Sequence, residues 1–151
     1  MSATSEIKDI LDAVQGINAG ISRVRSAPTT FPSRMDESLL PCALTYVGPG
    51  THETASYNHL QSERVYIVRL YVAEINTGSI NSNFEACLPF LALFRNEYTT
   101  QERADSDDWA RFAFLGDSGV LSDMPLHGNR FAEHHYWGIE FELGITHFTE
   151  A

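Results

Sequence analysis

The chain has 151 residues, of which 43% are hydrophobic and 20% charged, with a net charge of −10 and a pI near 4.9. This length and composition are typical of one globular domain with a core of its own. The basic residues are scattered and Lys8 is the only lysine, which argues against autonomous binding to nucleic acid, because phosphate contacts need clustered Lys and Arg.

No targeting or membrane segment is expected. The N-terminal sequence MSATSEIKD has neither the basic nor the apolar region of a signal peptide, which predicts a protein that is cytoplasmic at synthesis. The longest apolar run, Ala86 to Phe94, is shorter than the roughly 20 residues that span a bilayer. Cys42 and Cys87 lie in apolar surroundings and are interpreted as reduced core thiols in preference to a disulfide.

An amphipathic helix is predicted near the N-terminus. Apolar residues recur there at intervals of three and four: Ile7, Ile10, Leu11, Val14, Ile17, Ile21 and Val24. Thr4 or Ser5 is suited to cap its first turn. Pro28 and Pro32 end the element, and residues 26–40 are interpreted as an ordered or semi-ordered connection.

Two strands are predicted next. Cys42 to Val47 is a short strand that the following Gly-Pro-Gly is expected to break. Residues 48–62 are polar and rich in Gly, His, Ser and Asn, so a mobile loop is predicted there. Glu63 to Ile75 is a long strand whose two faces carry Tyr66, Val68, Leu70 and Val72 on one side and Val65, Ile67, Arg69 and Tyr71 on the other. The second face is also fairly apolar and is expected to meet a helix or another subunit.

A second helix is predicted after the turn at residues 76–79. Its apolar residues at helical spacing are Phe84, Cys87, Leu88, Leu91, Phe94 and Tyr98. Pro89 interrupts the pattern, so either the helix kinks there or a short turn precedes a helix that starts near Leu88. One kinked element is favoured, followed by an acidic, solvated loop over residues 99–108.

Trp109 to Leu115 is a further predicted strand, and residues 116–133 are interpreted as a loop with one short strand at Val120 and Leu121. The last strand, Tyr136 to His147, alternates most regularly. Its odd positions, Trp137, Ile139, Phe141, Leu143, Ile145 and His147, are predicted to be buried, and its even positions, Tyr136, Gly138, Glu140, Glu142, Gly144 and Thr146, to face water or a partner. At about 3.3 Å per residue this strand spans roughly 40 Å and reaches past the core of a small domain.

The predicted order is therefore α-β-β-α-β-β in one α+β domain covering residues 1–151. Runs of strands separated by two helices are typical of one mostly antiparallel sheet with both helices packed on it.

One tetrad invites an enzymatic interpretation. Residues 116–119 spell GDSG, the sequence around the nucleophile of trypsin-like proteases. The residues that follow, Val120 and Leu121, do not continue that motif, the chain is too short for a double barrel, and a catalytic triad is defined by geometry. The tetrad is interpreted as a turn between strands.

The remaining polar residues do not form a recognisable site. The six histidines have no spacing typical of a zinc site. Glu140 and Glu142 share one face of the last strand, where water or a basic partner surface is a better match than acid–base catalysis. The Gly48-Pro49-Gly50 tripeptide lacks the later glycine and lysine of a phosphate loop. No catalytic residue, metal ligand or cofactor is predicted.

The whole layout resembles the tail terminator proteins of long-tailed bacteriophages. The resemblance rests on the leading amphipathic helix, the strand RVYIVRLYV, the helix opening CLPFLALFR and the terminal YWGIEFELGITHF. It implies that the long strands at 64–73 and 136–148 and the helix at 88–95 belong to a domain that assembles into a six-membered ring. Residues 48–62 would then form the loop presented to the tube or the lumen.

The resemblance further implies a structural, non-enzymatic role at the head-proximal end of the tail. Such a ring caps the tail tube, ends its polymerisation and offers a docking surface to the head-side connector. The implied partners are copies of the chain itself, the tail tube protein, the connector protein and the tape measure protein, while genomic DNA passes through the acidic lumen without specific binding. Candidate interface residues are Tyr57, His59, Arg64, Arg69, Tyr71, Phe131, Tyr136, Glu140 and Glu142. Another neck, connector or tube protein of the virion, and a small ligand- or peptide-binding module, are the alternatives.

Overall fold

The computed structural model describes residues 3–32, 35–56, 59–100, 110–126 and 135–150. Within these ranges the helices are α1 (Ala3–Ala19) and α2 (Ile80–Thr100), and the strands are β1 (Cys42–Ser56), β2 (His59–Glu74), β3 (Ala110–Asp117), β4 (Leu121–Pro125) and β5 (His135–Glu150). A single 3-10 turn at Glu37–Leu39 lies in the connection between α1 and β1. The predicted α+β class is confirmed, and the order of elements agrees. The short strand predicted at Val120 and Leu121 is found as β4, which starts at Leu121.

One antiparallel sheet contains all five strands. They lie in the order β1-β2-β5-β3, and β4 pairs with the part of β5 that precedes the β3 pairing. The central strands β2 and β5 pair from His59 opposite Glu150 to Glu74 opposite Tyr136, with one register shift between Tyr71 and Ala73. Both are about 50 Å long at roughly 3.3 Å per residue, which is far longer than an ordinary strand.

The main core lies between the sheet and the two helices. The odd positions of β5 point into it, and Trp137, Ile139, Phe141, Leu143 and Ile145 are buried as predicted. His147 is only half-buried. The ring of Phe94 in α2 stacks on Phe141 with centroids 4.3 Å apart. Each such enclosed side chain contributes roughly 1.5–3 kcal/mol, so this layer supplies most of the apolar stabilisation.

A second, smaller cluster covers part of the opposite sheet face. It comprises Leu40, Cys42, Leu44, Tyr71, Met124 and Tyr136, with Met35, Leu39, Tyr46, Leu121 and Leu126 packed around it. The expectation that the even positions of β5 face water or a partner is therefore wrong for Tyr136, which is 2% exposed. It is also wrong for Gly138, which is buried. The reason is that residues 35–40 and 121–126 fold over this end of the sheet.

The prediction of a mobile loop at residues 48–62 is also wrong for the residues that the structure describes there. β1 does not stop at Val47; it continues to Ser56 and pairs with β2 along a long hairpin. The Gly-Pro-Gly segment is a bulge within the strand, marked by a register shift between Val47 and Gly50. A side chain at Gly48 would lie 2.7 Å from the carbonyl oxygen of Val65. A bulge therefore replaces the expected break, and backbone pairing holds polar residues in strands.

The helix boundaries show one agreement and one difference. α2 runs without interruption from Ile80 to Thr100 with Pro89 inside it, as the prediction of one element requires. α1 ends at Ala19, five residues before Val24, and the chain turns through Arg23 at a φ of +73°. Ile21 is nevertheless buried in the core, so an apolar residue continued the helical pattern beyond the helix itself.

Candidate assembly surface

The sheet face turned away from α1 and α2 is called the outer face here, and it brings together most of the candidate interface residues. Arg69 and Tyr71 from β2 lie opposite Glu140 and Gly138 of β5, and Glu142 follows opposite Ile67. Arg64 is opposite Ile145, a core-facing position of β5, so its side chain lies on the other face of the sheet. The structure does not place the side chains of three further candidates. Tyr57 and Phe131 lie outside the described residues, and only the backbone of His59 is described, in β2.

Tyr71 and Tyr136 belong to the interior of this chain. Their rings meet edge to face, with centroids 5.5 Å apart and planes at 85°, and the Tyr71 hydroxyl donates to the carbonyl of Pro125 at 3.3 Å. Met124 packs over Gly138, where a side chain would lie 2.7 Å from the methionine sulfur. These two tyrosines therefore hold the second cluster together and are not part of the protomer surface.

A row of stacked side chains crosses the middle of the outer face. Phe31 stacks on Tyr46 with ring centroids 4.9 Å apart, the Arg69 guanidinium lies over the Tyr46 ring at 5.1 Å, and the Arg69 Nε lies 3.5 Å from the Glu140 carboxylate. Burial is the main reason that the pKa of Tyr46 is raised, so the phenol stays neutral. The Arg69 charge is therefore stabilised within the chain by the Tyr46 ring on one side of the guanidinium and by the Glu140 carboxylate on the other.

Beyond this row the outer face is open. A groove of about 470 Å³ is lined by Pro49, Gly50, Thr51, Glu63, Arg64, Val65, Ala113, Leu115, Gly144, Ile145 and Thr146. We call it the outer groove. Leu115 is 54% exposed and lies over Gly144, where an added side chain would touch both of its methyl groups at 3.4 Å. The groove is therefore an apolar trough across the central strands.

Arg64 and Glu142 lie near this groove on opposite faces of the sheet, since Arg64 is opposite Ile145 and Glu142 is opposite Ile67. The Arg64 guanidinium donates to the carbonyl of Gly48 at 3.0 Å, and a side chain at Gly50 would lie 2.8 Å from its central carbon. The Arg64 side chain therefore packs against the bulge of β1 and donates a hydrogen bond to it. Glu142 is exposed at the side of the groove, so it is the more accessible charged candidate of the two.

The GDSG tetrad spans the end of β3 and the start of the connection to β4, with Gly116 and Asp117 in the strand. The Asp117 carboxylate accepts from the Gly119 amide at 2.8 Å. The Ser118 hydroxyl donates to the carbonyl of Gly119 at 2.8 Å and accepts from the Glu140 amide at 3.0 Å. Ser118 therefore extends the pairing with β5, and its one hydroxyl proton is bonded to backbone. The expected connection between strands is therefore limited to the second half of the tetrad, while its first half pairs with β5.

Neither cysteine forms a disulfide, and both are enclosed. Burial raises the pKa of the Cys42 thiol, and it raises the pKa of the Cys87 thiol to about 11. Among the described residues no group of three or more His, Cys, Asp or Glu side chains is placed to hold a metal ion. In the same part of the chain no helix is both long and apolar enough to cross a membrane.

A second exposed apolar surface lies on α2. Ile80, Phe84 and Leu88 follow one another at four-residue intervals and are 77%, 41% and 41% exposed, and Phe84 meets the edge of the Trp137 ring at 6.5 Å. Phe84 and Leu88 are among the apolar residues at helical spacing that predicted this helix. The buried side is instead formed by Asn83, Cys87, Phe90, Phe94 and Tyr98, which shows that Leu88 lies beside the core-facing stripe.

Comparison with known proteins gives no family for this chain. No protein-family model matches the sequence, and no curated protein matches it at a significant level.

Proposed function

We propose that this chain is a structural virion protein that forms a ring on the head-proximal end of a phage tail tube. The ring ends polymerisation of the tube and provides the docking surface for the head-side connector. The observation that carries the proposal is the extension of the sheet beyond its own core, at the end formed by the β1–β2 hairpin and the last residues of β5.

The described side chains of β1 and β2 leave the core clusters where this extension begins. Among the side chains that the structure describes, β1 contributes none to either core cluster after Tyr46, and β2 contributes none before Tyr66. Val47 is already 44% exposed. Two or three strands need packing on a face to be stable in water, so a sheet paired this far beyond the described core favours a protein that packs against other molecules.

The acidic charge supports the same role. The net charge of −10 in one chain gives an assembled ring a strongly negative field, which repels a nucleic acid that passes through it. Because Arg69 is paired with Glu140, the described residues of the outer face contain no cluster of free cations. Partners are therefore expected to be proteins: copies of the chain, the tail tube protein, the connector and the tape measure protein.

A tube-length assay tests the proposal. Tail tube protein is polymerised with and without the chain, tube lengths are measured by electron microscopy, and the free chain is weighed by native mass spectrometry. We expect short, capped tubes and a ring of about 101 kDa, six times the 16.9 kDa of one chain. Unchanged tube lengths together with a monomer at every protein concentration contradict the proposal. A ring that binds the connector and leaves tube growth unchanged points to a neighbouring neck protein.

A binding module is the second candidate, because the outer groove has the size of a small-ligand pocket, about 300–1,000 Å³. A peptide or small molecule held there would cover Val65, Leu115 and Gly144. Nuclear magnetic resonance shifts confined to these three residues in a strictly monomeric protein would favour the module over the ring.

A further inference from the structure

The sheet has two edges, formed by β1 and β3. On the outer side of β1, the described residues supply one neighbour, Ser26, which bridges Cys42 and accepts from the Ala43 amide at 3.0 Å. The rest of β1 and the outer side of β3 have no strand beside them in the described ranges. Unpaired edges present rows of backbone donors and acceptors that another strand can satisfy.

The two edges lie at the same level of the sheet. Thr51 on β1 is opposite Glu63, Glu63 is opposite Thr146, and Thr146 is opposite Arg111 on β3. The two neighbouring rows also cross the sheet from β1 to β3. One runs from Gly50 to Phe112, and the other runs from His52 to Ala110. A row of paired residues therefore runs from one edge to the other without a shift along the strands.

The strand directions also match. Each neighbouring pair in the order β1-β2-β5-β3 is antiparallel, so β1 and β3 run in opposite directions. A second copy related by rotation about an axis along the strands would place its β3 antiparallel to β1. Because the paired rows are level, this contact needs no displacement along that axis. A head-to-tail contact without such a rise can close into a ring, whereas one with a rise continues as a helix.

We propose that β1 of one copy pairs antiparallel with β3 of the next, with Thr51 beside the partner's Arg111, so that one sheet runs through successive subunits. The proposal rests on the proposed ring and names the contact that joins its subunits. Pro49 has no amide hydrogen, so pairing is interrupted at the bulge and resumes from Gly50.

Paired cysteines test this β1–β3 contact between copies, which we call the seam. In one chain Thr51 and Arg111 are three strand spacings apart, about 14 Å, which is too far for a disulfide, because bridged Cα atoms lie within about 7 Å. A disulfide in the Thr51→Cys/Arg111→Cys variant must therefore join two copies. Both positions are exposed, and the native Cys42 and Cys87 are 0% exposed, so neither folding nor native thiols should interfere.

On mild oxidation we expect the double variant to form a ladder of covalent multimers that ends at the closed ring, while each single variant remains monomeric on a denaturing gel. A short bismaleimide crosslinker serves as the second measurement and tolerates a shift of one residue pair in register. Thr51→Cys/Glu85→Cys is the matched control, since Glu85 is equally exposed but lies on α2; it should give no ladder.

The possible results separate the seam from the ring. Native rings without a 51–111 crosslink by either chemistry overturn the seam and leave the ring standing. A dimer from Thr51→Cys alone shows that two β1 edges pair about a twofold axis, which also overturns the seam. A wild-type chain that stays monomeric at all concentrations and in the presence of tube ends overturns the ring, and the seam with it.

Discussion

The hydroxyl of Tyr98 in α2 donates a hydrogen bond to the side-chain oxygen of Asn18 at the end of α1. The Asn18 amide in turn donates to Gln15 at 2.9 Å, and Thr45 of β1 donates to the same Gln15 oxygen at 2.8 Å. Gln15 also donates to the carbonyl of Ala43 at 2.9 Å. This buried chain of polar groups connects both helices to the first strand and fixes how they sit on the sheet.

Removing the Tyr98 hydroxyl should therefore destabilise the fold. In Tyr98→Phe the Asn18 oxygen loses its donor in an enclosed site, and an unsatisfied buried group costs about 1–3 kcal/mol. Urea unfolding should show a lower midpoint with an unchanged m-value. A double-mutant cycle with Asn18→Ala measures the coupling; effects that simply add would show that the two side chains act independently.

Leu143 is fully enclosed in the core, whereas Leu115 lies exposed at the outer groove. Leu143→Asp buries an uncompensated charge and should cost more than about 4 kcal/mol, a large part of the total stability. The variant should be insoluble or unfolded by circular dichroism. Leu115→Asp is the matched control and should change monomer stability by less than about 0.5 kcal/mol. Equal melting temperatures for the two variants would contradict the assignment of the faces.

Ser118→Ala should leave the fold intact with a small loss of stability. The hydroxyl hydrogen-bonds the Glu140 amide and the Gly119 carbonyl at an exposed turn, where water can replace it, so we expect a loss of about 0.5–1.5 kcal/mol or less. The wild type should not react with a fluorophosphonate probe, since the serine is committed to backbone groups. Stoichiometric labelling of Ser118, detected by peptide mass spectrometry, would support a hydrolase instead.

Ring formation should increase with salt. Six copies of a chain with net charge −10 gather a formal charge of about −60, and this repulsion is screened over about 10 Å at 0.1 M salt against about 30 Å at 0.01 M. Apolar contact does not weaken with modest salt. Light scattering at fixed protein concentration should therefore show larger species as salt or a divalent cation is added. Rings that dissociate as salt rises would show that ion pairs hold the interface.

Alkaline pH should lower stability in part through Cys87. Burial raises the pKa of this thiol from 9.0 to about 11 in the folded chain. Between these values the unfolded chain loses the thiol proton while the folded chain keeps it, so stability is retained below pH 9 and falls as pH rises from 9 to 11. Denaturant unfolding across this range should show the decline. Cys87→Ala should have a shallower slope, and an unchanged slope would exclude a contribution from Cys87.

Local pattern was sufficient to predict the elements that pack against a core. The alternation of Trp137, Ile139, Phe141, Leu143 and Ile145 predicted both a strand and its buried face, because a two-residue period leaves one side of a strand apolar. Helical spacing from Phe84 to Tyr98 likewise predicted α2 through Pro89. One antiparallel sheet with two helices followed from the order of these elements.

The projecting hairpin could not be predicted, because its residues lack an apolar pattern and are held in β1 and β2 by pairing between backbones that are adjacent only after the chain folds. The burial of Tyr71 and Tyr136 depended in the same way on residues 35–40 and 121–126, which are distant in sequence. By itself the sequence determined which segments have an apolar face, since that property is local to each segment. Only the tertiary structure decided which faces are covered and that Thr51 and Arg111 end the same row, because register and coverage arise from contacts between distant parts of the chain.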